Sequence, residues 1–117
     1  MAQKPPWDIR ERSFEFACDI VLFCHKLSQK RGCWSIADQL LRAGTSTAAN
    51  AEEAKGAYSR REFGAKNSIA LKEALESQLW LRIIVRCKLH DDEVEAKRLL
   101  KESGEIVGIL TATVFLF

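Results

Sequence analysis

Proline is nearly missing from this chain, and its two copies, Pro5 and Pro6, stand together before any periodic apolar segment. Because proline interrupts helices, the residues that follow can form long, uninterrupted helices. Glycine occurs only six times in 117 residues, and no glycine-rich loop of the phosphate-binding kind is present. These shortages favour an all-α fold and argue against a nucleotide-binding protein.

Side chains suited to catalysis or metal binding are also few. The chain has two histidines, His25 and His90, and neither lies in the Glu-x-x-His pattern of di-iron helix bundles. Cys87 and His90 form half of a zinc-like spacing without a second half, and no catalytic-triad motif is present. We therefore predict no catalytic residue, no metal, no cofactor and no enzymatic activity. An enzyme that uses a metal or acts on a small molecule is the less favoured alternative.

The cysteines show no C-x-x-C pair and are distributed along the chain as Cys18, Cys24, Cys33 and Cys87. The segment from Met1 to Pro6 is too short and polar for a signal peptide, and the apolar run from Ile106 to Phe117 is too short to span a membrane. These features predict a cytoplasmic protein with reduced thiols and no membrane association.

Apolar residues recur at spacings of three and four in four segments, which predicts four helices in one domain over residues 1–117. The expected spans are Asp8 or Ser13 to about Lys30, Ser35 to Gly56, Ser59 to about Leu89, and Asp92 onward. Sequences that resemble capping boxes begin at Ser59 and Asp92, and Gly32 is the expected stop of the first helix. The short connections favour an antiparallel up-down-up-down four-helix bundle.

The chain has more apolar residues than the predicted inner faces of the four helices contain. The first helix is expected to bury Phe14, Ala17, Ile20, Val21, Cys24 and Leu27. The second is expected to bury Ile36, Leu40, Ala43, Thr47, Ala51 and Ala54, and the fourth Leu99, Ile106, Leu110 and Val114. The third helix is apolar on nearly every side between Leu79 and Val85, and one bundle core covers only one stripe of a helix. We therefore predict a homo-oligomer.

The middle of the second helix consists of small residues with Asn50 among them, which indicates close packing on more than one side. Gly44 weakens a helix by about 1 kcal/mol relative to alanine, so we expect a packing reason for it. Glu73 and Glu76 share one face of the third helix. We predict a polar layer in which one of these glutamates meets Asn50 or an arginine. Surface exposure of the two glutamates is the alternative, and a metal bound by the two carboxylates is the least favoured one. Asp38 and Arg42 are expected to pair on the outside.

Positive charge is concentrated in the first three helices. Residues 1–90 have 15 Lys/Arg and 10 Asp/Glu, a balance of +5, whereas residues 91–117 have 3 and 6, a balance of −3. Ordinary solvated helix faces explain this distribution, but a basic surface for RNA or DNA is the functional alternative. The candidate nucleic-acid-binding residues are Lys55, Arg60, Arg61 and Arg82. A scaffold that binds only protein remains open beside it.

Three segments carry a family resemblance: Gln39–Glu53, Ser59–Phe63 and Ser68–Glu76. They resemble the four-helix bundle family of 23S ribosomal RNA intervening-sequence proteins. The matching positions are Gln39, Arg42, Ser46, Asn50, Glu52, Glu53, Glu62, Phe63, Glu73 and Glu76. The opening Ile9–Phe14 resembles one branch of that family, and Ala51–Gly56 departs from the Ile-Ala-Glu-Gly of many members.

The resemblance implies homopentamers of antiparallel four-helix bundles, which would form a ring-like assembly. It also implies kinship with the accessory protein of diversity-generating retroelements, whose relatives bind nucleic acid and a reverse transcriptase through a basic surface. It supplies no enzymatic activity. The sequence and its resemblance together predict a non-enzymatic, oligomeric binding or scaffolding protein, with weak, sequence-independent nucleic-acid binding as one form of that role.

Overall fold

The computed structural model describes residues 8–116, which form four helices and no strand. The helices are α1 (Ile9–Leu27), α2 (Trp34–Lys55), α3 (Arg60–Cys87) and α4 (Glu93–Leu116). No helix in this described range is both long and apolar enough to cross a membrane. The predicted all-α four-helix fold is therefore confirmed, with helix ends within three residues of the expected ones.

Side-chain caps define where three of the helices begin. The Asp8 carboxylate accepts a hydrogen bond from the Glu11 N–H, and the Asp92 carboxylate accepts one from the Glu95 N–H at 3.0 Å. The Ser59 hydroxyl accepts from the Glu62 N–H at 3.1 Å, as the capping box predicts. The return bond differs by one residue, because the Glu62 carboxylate accepts from the Tyr58 N–H.

Each helix packs against two neighbours. Helix α2 contacts α1 and α3, and α4 contacts α3 and α1, whereas the diagonal pairs make no comparable contact within residues 8–116. The α2–α3 contact is the most extensive and the α1–α4 contact the least. This cyclic order places the α1–α2 and α3–α4 pairs on opposite sides of a four-helix bundle. Its core is formed by large side chains that include Phe16, Ile20, Leu27, Leu40, Leu81, Ile84, Leu99, Ile106 and Leu110.

The predicted inner face of α1 is confirmed in part, because Ala17, Ile20, Cys24 and Leu27 are buried. Phe14 and Val21 were expected inside, but they are 54% and 45% exposed, while Phe16 and Phe23 are buried. Apolar residues cover more than half of this helix, so periodicity alone does not decide which part faces the core. The expected inner residues of α2 and α4 are buried apart from Ile36 and Val114, which are half-buried.

Gly44 of α2 faces the Ile20 side chain of α1 at close range. A Cβ atom built at Gly44 would lie 3.0 Å from Ile20 Cγ2 and 3.2 Å from Ile20 Cγ1, which is tighter than ordinary packing. Ile20 is completely buried, so it has little room to move. The expected packing reason for this glycine is therefore confirmed, and it is the side chain of one named residue.

Polar groups in the core are mostly satisfied within their own helices. The hydroxyls of Thr47 and Ser77 donate to the carbonyls four residues earlier, and the Ser103 hydroxyl donates to the Leu100 carbonyl. The Asn67 amide likewise donates to the Phe63 carbonyl at 3.0 Å. Small polar residues can therefore face the core of this bundle without a partner on another helix.

Candidate functional site

A charged cluster on the outside of the α2–α3 contact brings together three of the residues that carry the sequence resemblance. One Arg42 nitrogen donates to Glu73 at 2.8 Å, and another donates to Glu76. The Glu73 side chain is only 12% exposed, whereas that of Arg42 is 51% exposed. Hydrogen bonding to Glu76 is the main reason that the pKa of Arg42 lies above its ordinary value. The cluster acts as a clamp between α2 and α3. The positive charge of Arg42 offsets the electrostatic repulsion between the two glutamate carboxylates.

Two expected pairings are corrected by this cluster. Asn50 is half-buried, and its amide donates to the Ser46 carbonyl at 2.9 Å on the same helix, so its bond partner is neither Glu73 nor Glu76. An arginine is the partner of the glutamates, which was the other expectation. Arg42 also turns away from Asp38 because both of its bonding nitrogens face the glutamates. The predicted polar layer is thus a clamp at the edge of the bundle.

Cys87 and His90, which form half of a zinc-like spacing in the sequence, lie in different environments. Cys87 is exposed, whereas His90 is 5% exposed and stacks on the Phe23 ring. Within residues 8–116, no group of three or more His, Cys, Asp and Glu side chains is arranged to hold a metal. His90 therefore has the Phe23 ring as a packing partner and two backbone groups as hydrogen-bonding neighbours.

The four candidate nucleic-acid-binding residues do not form one surface. Lys55, Arg60 and Arg61 surround the turn between α2 and α3 and are all exposed. Arg82 lies on the same helix as Arg60, but further along it by about 33 Å at 1.5 Å per residue. The basic residues at the turn and Arg82 therefore have to be considered as parts of two different surfaces.

The turn between α2 and α3 also presents an aromatic residue that the sequence reasoning did not select. Tyr58 is 97% exposed, and its neighbours along the chain include Lys55, Arg60 and Arg61. Lys55 and Arg61 form no ion pair within the described residues, whereas nearby Lys66 is bound to Glu53 at 2.7 Å. The position of Tyr58 between two predicted helices was the available signal.

Large apolar side chains are exposed on several helices. On α3 these are Ile69, Leu75 and Leu79; α1 adds Phe14, Val21 and Leu22, and α2 adds Trp34 at 68% exposure. Two open grooves contain some of them. The α1–α2 groove, of about 360 Å³, is lined by Val21, Cys24, His25, Ser28, Trp34, Ala37, Asp38 and Leu41. The α3–α4 groove, of about 510 Å³, is lined by Leu79, Arg82, Ile83, Val85, Arg86, Cys87 and Leu100.

Comparison with known proteins identifies the family of this bundle. No curated protein matches the sequence significantly. A solved structure from Bacteroides thetaiotaomicron, of a protein with unknown function from the S23 ribosomal protein family, superposes with a TM-score of 0.83 at 35% sequence identity. The match covers 91% of this chain and 97% of that one. The sequence also matches the profile of the 23S rRNA-intervening sequence protein family over residues 7–112, so the chain belongs to that family.

Proposed function

We propose that this protein is a non-enzymatic scaffold that functions as a self-associated, ring-like homo-oligomer in the cytoplasm. The observation that carries the proposal is the apolar surface left outside the core, in particular Leu75 and Leu79 on α3 and Trp34 on α2. Monomeric soluble proteins rarely expose large contiguous apolar patches, and such patches mark interaction sites. The family resemblance supplies the expected number of five copies.

Each protomer of the assembly is proposed to be one antiparallel up-down-up-down bundle. Three ion pairs support this arrangement. Arg10 near the start of α1 contacts Glu52 near the end of α2, and Lys30 after α1 contacts Asp91 before α4 at 2.8 Å. On the α1–α4 contact, Arg12 near the start of α1 bonds Glu102, which lies nine residues after the first residue of α4. We call the end that contains Lys30 and Asp91 the Lys30 end, and the opposite end the Tyr58 end.

The proposal is tested by the mass of the purified protein in solution. Light scattering coupled to size exclusion, at micromolar concentration, is expected to give one species of about five times the chain mass of 13.2 kDa. A stable monomer would overturn the self-association. A defined oligomer of another number would leave the self-association intact and overturn only the number of copies.

A second role, contact with nucleic acid, is favoured by one observation at the Tyr58 end. The exposed Tyr58 ring lies in the same turn region as Lys55, Arg60 and Arg61. Aromatic rings on which bases stack, next to cations that contact phosphates, are the elements of sequence-independent binding to single strands. Arg82 lies outside this surface. A ring would present one such turn per copy, so weak contacts would add in avidity.

Binding of mixed-sequence RNA and DNA to the oligomer tests this second role. At ~50 mM salt we expect measurable binding that weakens steeply by ~200 mM salt, because counterions are released from the phosphates. The variant K55A/R61A should bind less tightly with a shallower salt slope, and Y58A should weaken single-strand binding more than duplex binding. Lys101→Ala, on the exposed face of α4, is the control.

The two results that would overturn nucleic-acid binding are distinct. If the oligomer binds neither RNA nor DNA at ~50 mM salt, the protein is a scaffold for protein partners only. If it binds tightly and without salt dependence, the phosphate contacts proposed for Lys55 and Arg61 are wrong. Neither result bears on the self-association, which is measured separately.

A further inference from the structure

We infer that one copy of this chain docks its α3–α4 groove into the α1–α2 groove of the next copy, head to tail. The inference rests on the proposed self-association and assigns the two surfaces that form it. It commits to a second copy as the occupant of both grooves.

The two apolar grooves carry complementary charges. The α3–α4 groove combines Leu79 and Ile83 with the guanidinium groups of Arg82 and Arg86, which form no ion pair within the described residues. The α1–α2 groove combines Val21 and Trp34 with the Asp38 carboxylate, which is exposed and likewise unpaired within residues 8–116.

An arginine from one copy can therefore bind Asp38 of the next or stack on its Trp34 ring, a favourable site for a guanidinium. Lys88, Glu93 and Lys97 line a separate cavity next to the α3–α4 groove, and the charged residues that line the groove itself are Arg82 and Arg86. The net positive charge of that groove thus comes from Arg82 and Arg86. His25 and Cys24 are the other titratable groups in the α1–α2 groove, so Asp38 supplies its negative charge.

The two grooves lie at similar heights along the bundle. Both grooves lie toward the Lys30 end, where Lys30 and Asp91 join the α1–α2 turn to the α3–α4 turn. Distances along the bundle axis follow from a rise of 1.5 Å per residue, measured away from the Lys30 end. Asp38 lies about 6 Å from the start of α2, and Val21 lies about 9 Å from the end of α1. Arg82 lies about 8 Å from the end of α3 in the same direction, so Arg82 and Asp38 are at nearly the same height along the bundle.

The two grooves face different directions. The α1–α2 and α3–α4 pairs lie on opposite sides of the bundle, as the contacts between neighbouring helices require. Neither groove complements itself, because Asp38 would meet Asp38 and arginine would meet arginine. A contact between two different surfaces repeats from copy to copy, and it closes into a ring when the rotation between copies divides a full turn and the copies do not rise along the ring axis. The equal heights of the two grooves keep that rise small.

Charge reversal and its rescue test the pairing. Asp38→Arg alone and the double change R82D/R86D are each expected to weaken association by roughly tenfold or more, because like charges then face each other. The triple variant D38R/R82D/R86D should recover association to within roughly threefold of the unmodified chain. Lys101→Asp, a charge reversal on an exposed residue outside both grooves, should leave association unchanged. Mass and association are followed by sedimentation velocity, and helix content by circular dichroism.

A second, uncharged variant keeps the inference testable if the triple variant does not fold. Trp34→Ala should also shift the oligomer toward monomer, whereas Leu22→Ala should not. Trp34 and Leu22 are 68% and 67% exposed, but only Trp34 lines the groove.

The outcomes separate this inference from the proposal beneath it. A monomeric unmodified chain would overturn the self-association itself. An unmodified oligomer that withstands D38R, R82D/R86D and W34A would overturn only the pairing of these grooves, as would a folded triple variant that stays monomeric.

Discussion

The His90 ring lies flat on the Phe23 ring, with centroids 3.9 Å apart and planes 9° from parallel. The Asp92 N–H donates to His90 Nδ1 at 2.9 Å, so the ring hydrogen belongs on Nε2, which lies 3.2 Å from the Phe23 carbonyl oxygen. One side chain thereby fastens the α3–α4 turn to α1. This is a structural role for the histidine that the sequence placed in half of a zinc-like motif.

His90→Ala should lower the free energy of unfolding by about 2–4 kcal/mol, because it removes the stacked ring and leaves two backbone groups without their partner. His90→Phe keeps a ring on Phe23 but not the hydrogen bonds, so it should recover part of the loss. Urea unfolding of all three proteins at one concentration measures this. Equal stability of the phenylalanine variant and the native chain would show that the hydrogen bonds contribute nothing.

Gly44→Ala should destabilise the protein by about 1–3 kcal/mol although alanine is the better helix former, because the new methyl group would overlap Ile20. Gly64→Ala and Gly108→Ala are matched controls, since a Cβ at either position meets nothing within 4 Å. Both controls should gain about 0.5–1 kcal/mol from helix propensity. Thermal unfolding that shows the same gain for all three substitutions would contradict the close contact between α1 and α2.

Burial, with a smaller contribution from the charge of Asp38, raises the pKa of the Cys24 thiol from 9.0 to about 12. A folded pKa above the unfolded one stabilises the native state fully below pH 9, and this contribution is lost as the pH rises toward 12. The difference in unfolding free energy between the native chain and C24A should therefore shrink between pH 9 and pH 11. A difference that is constant over that range would show that the thiol titrates normally.

Arg42→Met should lower the free energy of unfolding by about 0.5–1 kcal/mol, a modest amount because this side chain is about half exposed. The loss arises from two glutamates that then face each other without a cation. In the background E73Q/E76Q the same substitution should cost less, and the difference should fall as salt screens the charges. A double-mutant cycle at low and high salt measures both effects; an unchanged cost in the glutamine background would rule out the clamp.

The sequence was sufficient to predict the helices but not the rotation of α1. Capping residues at Ser59 and Asp92 are local signals, because a carboxylate or hydroxyl and the N–H that it binds are three residues apart. Which face of a helix turns inward depends on competition among apolar faces. In α1, Phe16 and Phe23 are buried, whereas Phe14 and Val21 are exposed. Which of these two apolar faces packs inward depends on the shape of the surface that the other three helices present.

The charged cluster was only partly predictable for a similar reason. The shared face of Glu73 and Glu76 follows from their spacing, and an arginine partner was one expectation. The choice between Asn50 and Arg42 as the partner depends on how α2 is rotated against α3. Arg42 reaches across to Glu73, whereas Asn50 bonds to Ser46 on its own helix. Tyr58 was missed although its position between two predicted helices was a signal, and the structure adds that its side chain is exposed.

The hydroxyls of Thr47, Ser77 and Ser103 bond to carbonyls of their own helices and so tie no helix to another. Because these buried bonds stay within one helix, the helices can slide or turn slightly against each other without breaking them, as in shear motions of packed helices. A ring closes only when every copy meets the next at a set angle. In the assembly that we propose, small shifts of the helices inside each bundle would therefore adjust the angle between neighbouring copies. The strain of closing the ring would then be distributed through the bundle interiors and not concentrated at the contacts between copies.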